Sequence, residues 1–201
     1  GDVAAARSAL LPMSDARPPG TGATRAAAAN AGRNSLPALM RADLNLLETI
    51  RQALPDALIV GDSTQLVYAG NTGFAAAVPG GYFNSATGFG TLGYGLPAAV
   101  GAALGAVDRP VVALVGDGGL QFSLAELTSA VEAKAPVILI LHDNSGYGEI
   151  KSYMQANGVP PLGVDILTPG LSDIARACGW QADRIETPGD LVQKLRTAAA
   201  S

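Results

Sequence analysis

Cysteine, clustered basic residues and long apolar runs are all scarce in this chain of 201 residues, and each scarcity excludes a class of protein. The single cysteine, Cys178, excludes a disulfide within the chain and favours a reducing compartment, so we expect a cytoplasmic protein. No window contains the ~18 apolar residues that a membrane-spanning helix needs. The net charge is -4 and no basic run is present, so we expect neither a membrane nor a nucleic acid as a partner.

Small residues are abundant: the chain has 25 glycines and 13 prolines, and 48% of its residues are hydrophobic. This composition is typical of a globular protein with many tight loops. The N-terminal stretch contains a cluster of helix breakers from Ala16 to Gly22 and an alanine run from Ala26 to Ala29 without an apolar face. We therefore expect residues 1–34 to be the tail of a preceding domain and a linker, both poorly ordered, and residues 35–201 to form one domain.

Short apolar runs between glycine-rich loops predict the strands of this domain, and longer amphipathic segments predict its helices. The predicted strands are 57–60, 81–84, 111–115 and 137–141. The predicted helices are 35–54, 95–107, 124–134, 171–178 and 190–199. Apolar strands that alternate with helices predict an α/β fold, with a doubly wound, mainly parallel sheet and helices on both faces. In such sheets, ligands bind beyond the carboxyl ends of the strands.

Two polar segments follow the two most apolar strands. Gly116-Asp117-Gly118 follows strand 111–115, and Asp143-Asn144 follows strand 137–141. The 24 residues between them (119–142) accommodate a loop, a helix and the next strand, so Asp117 and Asn144 could share a cavity at one edge of the sheet. A carboxylate and an amide oxygen favour magnesium or calcium over zinc. Either segment alone is also typical of a plain turn or a helix cap, and this alternative stays open.

Glycines accompany both polar positions and leave the backbone N–H groups accessible to phosphate oxygens. These glycines are Gly118, Gly119, Gly146 and Gly148. A helix that starts near Gly146 or Tyr147 would also point its positive end at the same anion. The pattern therefore indicates a phosphate-containing ligand bound together with a divalent cation.

These two segments, with 24 residues between them, resemble the signature of thiamine-diphosphate-dependent enzymes. That family usually has two asparagines at the second position, whereas this chain has Asp143 followed by Asn144, which keeps the asparagine that binds the metal. The resemblance implies that Asp117, Asn144 and the backbone carbonyl of Gly146 bind Mg²⁺. The ion in turn would hold the diphosphate of thiamine diphosphate.

The resemblance covers about residues 36–185, which is most of the part of the chain expected to be ordered. Residues 84–99, NSATGFGTLGYGLPAA, resemble the segment beneath the cofactor in the acetolactate synthase and benzoylformate decarboxylase group. It implies that Leu92 wedges between the two rings of the cofactor and that the Gly90 carbonyl accepts a hydrogen bond from the pyrimidine amino group. The other expected cofactor contacts are Thr64, Gln65, Gly118, Gly119, Tyr147 and Gly148.

The function implied by this resemblance is that of the diphosphate- and Mg²⁺-binding domain of a 2-oxo-acid decarboxylase, most similar to 5-guanidino-2-oxopentanoate decarboxylase-like members. In this family the glutamate that activates the cofactor lies on a separate pyrimidine-binding domain, and no segment of this chain resembles that domain. We therefore expect no catalytic residue in this chain and no activity of the chain alone. We also expect a partner domain from the same or a second subunit, a small 2-oxo acid as substrate, and a homodimer or homotetramer. The chain is then expected to be a C-terminal fragment or one polypeptide of a split enzyme.

Three other interpretations stay open. An acetolactate-synthase-like carboligase would share the residues named above. A non-catalytic domain would retain the fold for regulation or assembly. The glycine pattern of Gly88 to Gly93 also matches that of a nicotinamide-dinucleotide fold, although the predicted strand before it is short and poorly apolar.

Overall fold

A computed structural model describes residues 22–200, and close contacts divide the chain into a unit up to Leu36 and a second from Pro37. In the described part of the first unit, helix α1 spans Gly22–Gly32 and a short 3-10 helix spans Arg33–Ser35. Helix α1 lies within residues 1–34, for which the sequence predicts poor order. Alanine has the highest helix propensity, so an alanine run forms a helix without an apolar face. That residues 1–34 serve as a linker stays a prediction, and residues 1–21 lie outside the described residues.

Four parallel strands form the sheet in the described part of the second unit. They are β1 (Leu58–Gly61), β2 (Tyr82–Asn84), β3 (Val111–Gly116) and β4 (Val137–His142). Their order across the sheet is β2-β1-β3-β4, and every neighbouring pair is parallel. The predicted α/β fold with a parallel sheet is confirmed, and each strand begins and ends within one residue of its expected position.

One short 3-10 helix spans Ser85–Thr87, and eight α-helices accompany the sheet between residues 37 and 200. They are α2 (Ala38–Ala53), α3 (Gln65–Gly73), α4 (Gly95–Gly105), α5 (Asp117–Gln121), α6 (Glu126–Glu132), α7 (Gly148–Ala156), α8 (Leu171–Ala177) and α9 (Pro188–Ala199). The sequence did not predict α3 and α5, because both begin inside polar loops that follow strands. A signal for α3 was present: Thr64 is its N-cap, and buried residues recur at helical spacing at Leu66, Val67, Ala69 and Gly70. No helix within residues 22–200 combines the length and apolar character needed to cross a bilayer.

The hydrophobic core lies on both sides of the inner strand β3, and all six residues of this strand are buried. On one face, Val111, Ala113 and Val115 pack with buried residues of α4, α6 and α8. Val112 and Leu114 lie on the other face. There α3 packs against β3, α9 packs against β4, and α2 packs against both of these helices. Both faces of the sheet are therefore covered, which leaves the ends of the strands as the places where polar groups can reach solvent.

Two leucines of α2 provide a matched test of this packing. Leu47 is fully buried and its side chain lies against Gly70 of α3, whereas Leu39 is 79% exposed. Leu47→Ala is expected to lower the free energy of unfolding by ~2–5 kcal/mol, because it removes buried methyl groups and leaves a cavity. Leu39→Ala is expected to change it by less than ~0.5 kcal/mol. Urea denaturation followed by circular dichroism measures both, and equal losses would contradict the described orientation of α2.

Candidate functional site

The two polar segments meet at the carboxyl edge of the sheet. β3 and β4 pair in register up to Gly116 and His142, so the chain leaves both strands at the same level. Asp117 is the first residue of α5, and Asn144 lies two residues beyond the end of β4. The backbone N–H of Asn144 is 3.5 Å from Asp117 Oδ1. The structure therefore brings together the two side chains that the sequence placed in one cavity.

Three polar groups converge at this point. One terminal atom of the Asn144 side-chain amide lies 3.2 Å from Asp117 Oδ1 and 2.7 Å from the Gly146 carbonyl oxygen. With its nitrogen inward, the amide would donate hydrogen bonds to both oxygens. With its oxygen inward, the amide would place three oxygen atoms close together. These atoms repel one another unless a cation lies between them. Adjacent oxygens around an octahedral Mg²⁺ lie about 2.9 Å apart, given metal–oxygen distances of 2.0–2.1 Å. The separations of the amide atom from these two oxygens, 3.2 Å and 2.7 Å, are thus close to those around a small hard cation. A half-turn of the amide interchanges the two arrangements.

The second carboxylate oxygen of Asp117 has a partner that the sequence did not reveal. Thr168 Oγ1 donates a hydrogen bond to Asp117 Oδ2 at 2.7 Å. Asp117 is only 1% exposed, so this bond satisfies an oxygen that water reaches poorly. No local pattern could have identified Thr168, because it lies 51 positions further along the chain than its partner.

Three helices begin around the same spot. α3 begins at Gln65 after the N-cap Thr64, α5 begins at Asp117, and α7 begins at Gly148. A Cβ atom at Gly148 would lie 2.6 Å from Asn144 Nδ2 and 3.7 Å from Gln65 Nε2, which shows how close α3 and α7 start. Helix N-termini present unpaired N–H groups and a positive dipole end, so this cluster suits an anion. The expected helix start near Gly146 or Tyr147 is found at Gly148.

The glycines after Asp117 are constrained by neighbouring side chains. A Cβ atom at Gly118 would lie 2.7 Å from Cε1 of the Tyr147 ring, and one at Gly119 would lie 3.0 Å from Asp62 Oδ1. Both glycines are buried. Tyr147 therefore forms a wall beside α5, and the two glycines have a packing reason to be glycine in addition to any contact with phosphate.

Asp62 is a buried carboxylate that the sequence did not place in the site. Its Oδ2 accepts a hydrogen bond from the backbone N–H of Gly95, the first residue of α4, and its Oδ1 accepts one from the N–H of Ser63, both at 2.7 Å. Burial raises the pKa of this carboxyl above its usual range, although the backbone N–H donors counteract the shift. Asp62 thus connects the loop after β1 to the start of α4. This helix begins directly after the loop that carries Gly90 and Leu92.

The Gly90 carbonyl already has one donor within the chain. Ser63 Oγ donates a hydrogen bond to it at 2.8 Å, and Ser63 Oγ also lies 2.8 Å from Ser85 Oγ. A carbonyl oxygen accepts two hydrogen bonds, so one position stays available for a ligand. Gly90 and Gly93 both have positive φ, +68° and +83°. Leu92 lies between these two turns, which determine the direction of its half-buried side chain.

A parallel sheet with helix N-termini and oxygen ligands at its carboxyl edge fits the class of α/β domains that bind phosphate-bearing ligands. The family model of the thiamine pyrophosphate enzyme, C-terminal TPP binding domain, matches residues 61–201. A probable 2-ketoarginine decarboxylase of Pseudomonas aeruginosa is 40% identical over 153 residues, 75% of this chain and 27% of that protein. Acetolactate synthase of Bacillus subtilis is 36% identical over 111 residues, 53% of this chain and 19% of that protein. The thiamine diphosphate-dependent 4-hydroxybenzoylformate decarboxylase of Rhodococcus jostii RHA1 superposes with a TM-score of 0.71 at 31% identity, covering 79% of this chain and 30% of that chain.

The chain belongs to the thiamine pyrophosphate enzymes and carries their C-terminal TPP-binding domain, which confirms the family expected from the sequence. It spans less than a third of the length of these relatives, with shares of 27%, 19% and 30%.

The alternative of a nicotinamide-dinucleotide fold is thereby removed. The glycine run from Gly88 to Gly93 does precede a helix, as that fold requires. However, the N-terminus of this helix, α4, is occupied by the Asp62 carboxylate through the N–H of Gly95. A carboxylate at that position would repel a phosphate group rather than leave room for it.

Gly146 offers a test of the close approach that shapes the site. A Cβ atom there would lie 2.6 Å from the Val164 carbonyl oxygen, which accepts a hydrogen bond from the N–H of Tyr147 at 2.8 Å. Gly146→Ala is therefore expected to lower the free energy of unfolding by more than ~1 kcal/mol, because backbone must shift. Gly101→Ala is the matched control, since Gly101 is an exposed residue of α4 with nothing within 4 Å of its Cβ position. It is expected to stabilise the protein by ~0.4–1 kcal/mol. Thermal and urea unfolding measure both variants, and an unchanged stability of Gly146→Ala would contradict the contact with Val164.

Proposed function

We propose that this chain binds the diphosphate of thiamine diphosphate through one Mg²⁺ ion, as the cofactor-binding domain of a 2-oxo-acid decarboxylase. The observation that carries this proposal is the convergence of Asp117 Oδ1, the Asn144 amide and the Gly146 carbonyl oxygen beside three helix N-termini. Mg²⁺ prefers oxygen ligands and keeps part of its coordination shell for water and ligand phosphates. The three protein oxygens would hold one side of the ion, and the diphosphate would occupy the other.

The residues around this point would divide the recognition of the cofactor. Thr64 and Gln65, at the start of α3, would donate hydrogen bonds to the diphosphate, as would the backbone at Gly148. Gly118 and Gly119 leave the start of α5 without side chains, and Tyr147 would close one side. Gly90 and Leu92, further along the edge, would orient the rings.

When bound, thiamine diphosphate supplies the electron sink that allows a 2-oxo acid to lose carbon dioxide. The contribution of this chain is to hold the cofactor in place and to compensate its negative charge. Asp117 adds a negative charge of its own, so the attraction for a diphosphate depends on the cation and on the helix N-termini.

We propose a 2-oxo acid with a long, cationic side chain as the substrate of the complete enzyme. The proposal is supported by the 40% identity to a probable 2-ketoarginine decarboxylase and goes beyond the residues of this chain. A carboligase is the second candidate, supported by the 36% identity to an acetolactate synthase. The products separate the two: decarboxylation alone gives an aldehyde, whereas carboligation joins a second carbonyl compound.

The complete enzyme is proposed to include a pyrimidine-binding domain that provides the activating glutamate, from the same or a second subunit of a homodimer or homotetramer. Several large apolar side chains near the carboxyl edge are exposed and would suit such a contact. They are Phe89, Phe122, Ile150 and Tyr153. Phe89 is fully exposed, at 102% of its reference surface, which is costly for a side chain that stays in water.

Calorimetric titration of thiamine diphosphate tests the cation site. Binding is expected with Mg²⁺ and is expected to disappear with EDTA. Asp117→Ala should weaken it by more than ~100-fold, since second-shell partners alone contribute about 10–100-fold. Asp108→Ala is the matched control, because Asp108 is exposed and precedes β3 at the opposite end of the strand. Binding that ignores EDTA or Asp117→Ala would contradict the proposed role of the metal. Absence of binding even with a pyrimidine-binding domain added would favour a non-catalytic domain.

Activity assays test the incomplete site. The chain alone, saturated with cofactor and Mg²⁺, is expected to release no carbon dioxide from benzoylformate or 5-guanidino-2-oxopentanoate, because the activating glutamate is expected on another domain. A pyrimidine-binding domain of the family, added as a separate protein, should restore release. The same domain with its activating glutamate replaced by glutamine should not. Release by the chain alone would show that an activating group lies within it.

A further inference from the structure

We propose that Thr168 is a positioning residue of the cation site: its hydroxyl holds the Asp117 carboxylate in the orientation that directs Oδ1 at Asn144 and Gly146. This inference rests on the proposed function of the site. Thr168 lies outside every segment that carries the family signature, and it belongs to the stretch between α7 and α8.

The two carboxylate oxygens of Asp117 have different partners. Thr168 Oγ1 donates to Oδ2 at 2.7 Å, while Oδ1 faces the backbone N–H of Asn144 at 3.5 Å. Without the hydroxyl, the carboxylate could rotate about its last side-chain bond, and Oδ2 would be left buried without a donor. A buried acceptor without a donor is unfavourable, so the bond restricts the carboxylate to one orientation.

Thr168 is held in place by a segment that pairs with the site. We name residues 164–168 the strap. The Val164 carbonyl accepts a hydrogen bond from the N–H of Tyr147 at 2.8 Å, and Asp165 forms an isolated antiparallel bridge with Gly146. These backbone contacts fix the register of the strap against the loop that carries Asn144.

The strap has the alternation of an extended segment with one inner face. Its inner residues, Val164, Ile166 and Thr168, are buried or half-buried, whereas Asp165 and Leu167 are exposed. Ile166 Cδ1 lies 3.4 Å from the Cβ position of Gly118. Alternate residues of the strap thus have different contacts. Val164 contacts the loop after β4, Ile166 contacts the start of α5, and Thr168 contacts the Asp117 carboxylate.

The ion pair between Lys151 and Asp165 does not explain this arrangement. Lys151 Nζ lies 2.6 Å from Asp165 Oδ1, but water reaches both side chains, which are 39% and 71% exposed. Ion pairs that water reaches contribute little to stability, because the solvent screens their charges. The inner contacts of the strap therefore determine its position, and Thr168 is the inner residue with a polar group directed at the site.

When a residue that orients a metal ligand by a hydrogen bond is replaced, the affinity of the site for the metal typically falls by about 10–100-fold. Thr168→Val keeps the shape of the side chain and removes the hydroxyl. It is expected to weaken Mn²⁺ binding by about 10–100-fold in the presence of saturating thiamine diphosphate. Thr168→Ser keeps the hydroxyl and is expected to stay within about threefold of the unmodified chain.

The experiment titrates Mn²⁺ into the full chain and follows free Mn²⁺ by electron paramagnetic resonance, with unfolding of each variant measured separately in EDTA. Thr197→Val, which removes a hydroxyl bonded to the Gln193 carbonyl within α9, is the matched control and should leave Mn²⁺ affinity unchanged. Thr168→Ala, which leaves room for a water molecule, replaces Thr168→Val if the valine variant does not fold.

The outcomes separate the two proposals. If the unmodified chain binds Mn²⁺, Asp117→Ala does not, and Thr168→Val binds as well as the unmodified chain, the positioning role is overturned and the cation site stands. If the unmodified chain binds no Mn²⁺ with thiamine diphosphate present, even after a pyrimidine-binding domain is added, the proposed function is contradicted and so is the role of Thr168. Loss of folding in both the valine and the alanine variant would assign the hydroxyl to the fold and would also overturn the inference.

Discussion

The register between β3 and β4 is the constraint on which the rest of the site depends. Because Gly116 pairs with His142, the chain leaves both strands at the same level of the carboxyl edge. β3 is buried along its whole length, so polar groups can gather only where the strand ends. A shift of one residue would reverse the direction of every side chain in the strand and would separate Asp117 from Asn144.

Electrostatics explains why the ligand would sit at one part of this edge. Four helices, α3, α4, α5 and α7, begin there, and each presents a positive dipole end. The start of α4 is already neutralised by Asp62, which accepts a hydrogen bond from Gly95. The other three starts surround Asp117, whose carboxylate opposes an anion unless a cation lies between them. Anion and cation are therefore expected to bind together.

The accuracy of the sequence interpretation follows the strength of the periodic signal. β3 and β4 were located because each is a continuous apolar run bounded by turn residues. α3 and α5 were missed because they start within polar loops, and α5, at five residues, is too short to show a period. α1 was missed for a different reason: residues 22–32 lack an amphipathic pattern, yet alanine favours the helix through its intrinsic propensity.

The sequence by itself determined the family and the juxtaposition of Asp117, Asn144 and the glycines beside them, because these lie in short runs separated by a single crossover connection. Only the tertiary structure decided which groups support them. Thr168 meets Asp117 across 51 residues, Gly95 meets Asp62 across 33, and Gly90 meets Ser63 across 27. Such pairs leave no periodic trace in the chain, since a hydrogen bond between distant segments depends on how the layers pack and not on the spacing of residues along the sequence.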